Sequence, residues 1–188
     1  MKEKEVVERY RKIVDIDLEK LAEEGYEYLL LDLDGTLTML GIFLREKVEE
    51  WIQEAKEKGF KINLCTNNVV IRLKILRQLG IKRENIKLFA CKPSKSAYVF
   101  SDKEQEFIEP AKVVMISNTM IDLWGAKRAK IGKRIKIDSK IEDTEKLKRT
   151  IKGYVTNSSA RYQEKRENRK KNQQNKKKKG KEGNDLEK

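Results

Sequence analysis

The sequence predicts an α/β chain built on a doubly wound parallel sheet. Three observations carry that reading. Short apolar runs alternate with charged stretches of helical period. Gly59 and Gly80 stand where such helices end, as C′ glycines do. The loops between runs are short, so strand, helix and strand form parallel crossover units rather than hairpins.

The elements follow in order. Helical spacing of Val6, Val7, Tyr10 and Val14 predicts an amphipathic first helix, with a short second one near residues 18–23. Strands are expected at 26–33, 60–65, 86–90, 113–117 and 134–138. Helices are expected between them at 44–58, 69–79, 94–107 and 120–130, with a last helix at 142–151. The folded domain is placed at 1–155, with N-terminal helices within 3–24 and the core at 26–138. Residues 156–188 read as a disordered Lys-rich tail, because almost nothing apolar remains there.

Composition removes several chemistries. The chain of 188 residues has no histidine, which excludes Ser-His-Asp triads and His-ligated zinc. Two cysteines, Cys65 and Cys91, are too few for a disulfide framework. Both are expected as buried, inert thiols, and Trp51 and Trp124 as core residues. No apolar run reaches the ~20 residues that span a bilayer. The charged start lacks a signal-peptide core, so a cytoplasmic protein is expected, with peripheral membrane attachment left open. About half of the net charge of +13 lies in the tail.

In doubly wound sheets ligands bind beyond the carboxyl ends of the strands. The residues placed there are Asp32 and Asp34, Thr66 and Asn67, Lys92, Ser117 and Asp122. Carboxylates at the end of the apolar run LLLDLDGT are costly unless their charge is compensated. Phosphoryl transfer to a carboxylate needs a nucleophile, a proton donor and positive charge on the phosphoryl oxygens. These residue types supply all three.

In that order the motifs resemble those of haloacid-dehalogenase-type phosphatases. The stretches GYEYLLLDLDGTL, INLCTNN, FACKPSKSAYVF and VVMISNTMIDLWGAKRAKI are similar to subclass IIIA members, the group of the YqeG proteins and the phosphatidylglycerophosphate phosphatases. The resemblance covers residues 10–138 and implies a Rossmann-like fold. Asp32 would be the nucleophile and Asp34 the general acid, then base. Thr66, Asn67 and Lys92 would bind phosphate, Thr66 and Lys92 also serving catalysis. Asp32, Asp34 and Asp122 would hold Mg²⁺. One position departs from the pattern. Ser117 stands where relatives carry a metal-binding acid, which implies weakened Mg²⁺ binding.

The gaps from Asp34 to Thr66 and from Thr66 to Lys92 leave no room for a cap domain. A capless, open site suits a phosphate on something large, such as phosphatidylglycerophosphate. The apolar segment 38–43 reads as a hairpin on the core or as a contact surface. The lysine tail fits RNA, a ribosome or an anionic membrane surface. The expected function is Mg²⁺-dependent phosphomonoester hydrolysis through an aspartyl-phosphate. The alternative is a catalytically impaired binding protein, associated with RNA or ribosome through its tail.

Overall fold

Six parallel strands form the sheet, in the order β1 (Glu8–Tyr10), β8 (Lys133–Ile137), β7 (Val113–Ser117), β2 (Tyr28–Leu31), β5 (Lys61–Cys65), β6 (Ile86–Lys87). The computed structural model describes residues 7–39, 43–68, 73–99, 108–138 and Lys152. All elements named here lie within the unit formed by residues 1–140.

The central strands are largely apolar because both sheet faces are covered. Leu29 and Leu31 of β2 point to one face. They join Ile62, Leu64, Val114 and Ile116 against α1 (Leu18–Glu23), α2 (Val48–Glu57) and α3 (Leu73–Leu79). Tyr28 and Leu30 point to the other, as alternate strand residues must. There they meet Met115, Cys65 and Tyr98, under Leu123 and Ala126 of α4 (Met120–Arg128). Gly125 of α4 has a packing reason, since a Cβ there would strike the Tyr98 ring. The chain winds from β2 to β5 and β6, then crosses to β7 on the other side of β2. That reversal puts the crevice at the carboxyl ends of β2, β5 and β7.

Several expectations are corrected. The first segment is not a helix. Glu8, Arg9 and Tyr10 pair with Ile135, Lys136 and Ile137, which covers an otherwise open edge of β8. A short 3₁₀ turn at Ile13–Asp15 then brings Val14 to the core. A strand followed by a turn thus satisfies the spacing read as helical; Val6 lies outside the described residues. The helix expected from 44 begins at Val48, because Lys47 sits in the left-handed region at φ 58°. Leu44 belongs instead to a hairpin of β3 (Thr38–Met39) and β4 (Phe43–Leu44), the hairpin option for this segment; residues 40–42 are outside the described set.

The third strand stops at Lys87, and Phe89 and Cys91 adopt positive φ values of 51° and 56°. Cys91 is therefore off the sheet and exposed, not buried. Where a helix was expected at 94–107, a 3₁₀ turn covers Lys95–Tyr98, and residues 100–107 are not described. Trp51 is in the core, but Trp124 is 55 % exposed on the outer side of α4. The start of the expected 69–79 helix, the helix at 142–151 and the tail at 156–188 lie outside the described residues. Among those described, no cap domain interrupts the sheet, and no helix is long and apolar enough to cross a membrane.

Candidate active site

Asp32 leaves β2 still paired with its neighbour, its N–H donating to the Ile116 carbonyl at 3.0 Å. This register sets it beside Ser117 at the carboxyl ends of β2 and β7. The Asp32 side chain is almost fully buried, and so is that of Lys92. The Lys92 ammonium donates to Asp32 Oδ1 at 2.5 Å and to Asp122 Oδ2 at 2.6 Å. Burial pushes the Asp32 carboxyl up and Lys92 pulls it back only partly, leaving it at about 6. Burial alone would lower Lys92, but the two carboxylates outweigh it and hold the ammonium above its ordinary value.

Lys92 is held in place from behind. Its backbone N–H donates to Asn67 Oδ1 at 2.8 Å, and Asn67 Nδ2 returns a bond to the Lys92 carbonyl at 3.2 Å. The Asn67 side chain, expected to face phosphate, is thus engaged with the Lys92 backbone.

Thr36 links the two strand ends. Its hydroxyl donates to Asp32 Oδ2 at 3.1 Å and accepts from the Asn118 N–H at 2.9 Å. Asn118 Oδ1 lies 3.4 Å from the same hydroxyl. Gly35 makes this approach feasible. It sits at φ +81°, and a Cβ there would collide with the Asn118 amide.

Asp34 has different surroundings. Its Oδ2 accepts from Thr66 Oγ and from Asn68 Nδ2, both at 3.3 Å, and Thr66 Oγ accepts from the Asn68 N–H at 3.0 Å. Asp34 is half-buried where Asp32 is buried. The turn that follows β2 therefore gives two carboxylates two environments, one against a cation and one against neutral donors.

Ser117 is fully buried and does not leave a gap. Its hydroxyl donates to Asp122 Oδ2 at 2.7 Å and accepts from the Thr119 N–H at 3.1 Å. Thr119 in turn caps α4, accepting from the Asp122 N–H at 3.3 Å. Asp122 is thereby fixed between Ser117 and Lys92.

The donor set fits a hard cation in kind. Asp32 and Asp122 face one another across a gap that a cationic group already bridges, and Asn118 adds an amide oxygen near Asp32. No group of three acidic, His or Cys side chains forms a metal cluster among the described residues. Mg²⁺ asks for less, because it keeps several waters and takes one or two carboxylates together with substrate oxygens.

The structure brings Asp32, Lys92, Asp122 and Ser117 into direct contact, and joins Asp34 to Thr66. The strand-end pattern found these residues. It assigned no role to Thr36 or the Asn68 side chain, whose only sequence signal was membership of the DGT and TNN triplets.

A family model described as haloacid dehalogenase-like hydrolase matches residues 5–130, well over half of the chain. The chain belongs to that family, and its parallel six-stranded α/β sheet is consistent with the family's fold. No curated protein sequence matches the chain.

Proposed function

We propose that the protein is a Mg²⁺-dependent phosphomonoester hydrolase working through an aspartyl-phosphate, on a large ester such as phosphatidylglycerophosphate. The observation that carries this reading is the buried Asp32 carboxylate, held by Lys92 on one oxygen and Thr36 on the other. In the first step an Asp32 oxygen forms a bond to phosphorus while the bond to the leaving oxygen breaks. Asp34 gives that oxygen its proton. In the second step water attacks the phosphorus, Asp34 takes a proton from it, and the Asp32 carboxylate is released. Lys92 offsets charge on Asp32 and the phosphoryl oxygens, and Thr66 orients Asp34. Asp32, the Asp34 main-chain carbonyl and Asp122 would hold Mg²⁺, which when bound neutralises phosphoryl charge.

The open face, without a cap among the described residues, supports a bulky substrate. The subclass IIIA resemblance of the motifs supports a lipid headgroup. The test is release of inorganic phosphate from phosphatidylglycerophosphate in mixed micelles. Turnover that Asp32→Asn abolishes sustains the proposal; equal phosphate release by both proteins would refute it.

A second reading has its own observation. Asp122 accepts from both Ser117 and Lys92, and by the motif resemblance Ser117 stands where relatives carry a second acid. Here the protein has lost metal-dependent chemistry and binds RNA or a ribosome through residues 156–188. Such binding should fall by orders of magnitude between about 50 and 200 mM salt and vanish when the tail is removed.

A further inference from the structure

The outer side of α4 is the reverse of what a surface helix shows. Met120, Ile121 and Trp124 are 48, 63 and 55 % exposed. At 100° per residue these three and Arg128 fall within one arc of about 100°. The inner side holds Leu123 and Ala126 in the core and turns Asp122 toward Lys92. The core therefore does not require apolar residues at 120, 121 and 124.

The exposed charges of α4 itself have one sign. Asp122 is the only acid of α4, and it is buried. Lys127, Arg128 and the following Lys130 are exposed. The Arg128 guanidinium lies 4.9 Å from the centre of the Trp124 ring, so apolar and cationic groups share one surface. The exposed Val99 follows the Lys95–Tyr98 turn, which packs on α4 through Tyr98 and Gly125.

We propose that this face of α4, with Met120, Ile121 and Trp124 inserted and Lys127 and Arg128 above them, seats on an anionic phospholipid surface. An interfacial helix combines apolar side chains, a Trp at headgroup level and flanking cations in this way. Charge complementarity argues against the other occupants. A second copy pairing through the same face would add like charge to the interface with no exposed acid of α4 to offset it, since Asp122 is buried. RNA would use the cations but leave Met120 and Ile121 without a role. The inference goes beyond the hydrolase reading and does not depend on it.

The test uses the full chain and vesicles of equimolar phosphatidylglycerol and phosphatidylcholine, with phosphatidylcholine alone as control. Neither lipid is a phosphomonoester, so catalysis does not enter. Tryptophan emission should shift to the blue on the anionic vesicles and be quenched by brominated acyl chains. Trp51 is buried and should contribute no quenching. Ile121→Asp should weaken partition about tenfold or more, because an inserted apolar side chain becomes charged. Trp124→Ser should abolish the quenching. Several results would overturn the proposal: no binding to the anionic vesicles, binding without blue shift or quenching (attachment by the tail alone), or binding that Ile121→Asp leaves unchanged. A blue shift that follows protein concentration without vesicles, with sedimentation as a dimer, would assign the face to a second copy instead. The wild-type emission readout needs no substitution, and Ile121 is largely exposed, so loss of fold cannot imitate either answer.

Discussion

Replacing Asp32 by Asn keeps the side chain's shape and removes a charge from a group only 4 % exposed. In the folded protein burial raises the Asp32 carboxyl from its ordinary value near 3.8 to about 6, even with Lys92 beside it. The native state therefore binds more protons than the unfolded chain between these two values. Stability must then fall as pH rises through that window, since its slope follows the protons bound by the unfolded state minus those bound by the native. Each factor of ten in proton affinity is worth about 1.4 kcal/mol, so ionising Asp32 costs the fold about 3 kcal/mol by neutral pH. Asparagine has no such cost. Lys92 keeps Asp122 and an amide oxygen as acceptors, and it stays charged throughout, so its contribution is nearly constant with pH. The assay is urea denaturation of both proteins at several values from pH 4 to 7, with chelator present. The stability of Asp32→Asn relative to wild type should grow by about 2.4 kcal/mol across this range, the rest of the difference lying below pH 4. A flat difference, or one that shrinks as pH rises, would refute the reasoning about burial.

Further outcomes follow from neighbouring groups. Lys92→Met leaves Asp32 and Asp122 buried without their cation. It should destabilise the protein by about 3–5 kcal/mol in a denaturant titration at neutral pH and abolish phosphate release. Gly35→Ala would place a Cβ against the Asn118 amide at a positive φ. A loss of about 2 kcal/mol or more is expected by thermal unfolding, with a fall in any hydrolysis, because the Thr36–Asn118 link is displaced. The two thiols should separate cleanly. Cys65 is buried, donates to the Ala97 carbonyl at 3.1 Å and is pushed up to about 12, whereas Cys91 is exposed. A colorimetric disulfide reagent at pH 8 should modify Cys91 in the native protein and reach Cys65 only after unfolding.

The central sheet was legible because β2, β5 and β7 are buried on both faces, which leaves mainly apolar runs in the sequence. Their carboxyl ends then located Asp32, Thr66 and Ser117, and with them most of the candidate site. What escaped was set by tertiary context. Glu8–Tyr10 carries no apolar alternation of its own and is a strand because β8 offers an edge. Lys47 and Phe89 have no side-chain feature that announces positive φ, so the start of α2 and the end of β6 were misplaced. Trp124 was read as core because hydrophobicity alone does not say which side of a short helix is covered. Cys91 followed from the same error as β6: its burial was inferred from a strand that ends four residues earlier. Thr36 is a conventional turn residue by type, and only the approach of Asn118 makes it a bridge between two strand ends.

The most direct test of the account is hydrolysis of a generic aryl phosphate across a Mg²⁺ titration, comparing wild type, Asp32→Asn and Ser117→Asp. Wild-type turnover should require Mg²⁺ and be lost in Asp32→Asn. Ser117→Asp should reach half-maximal rate at lower Mg²⁺, since it adds a carboxylate beside Asp122. Turnover that persists in Asp32→Asn, or that is indifferent to Mg²⁺ in all three proteins, would contradict it.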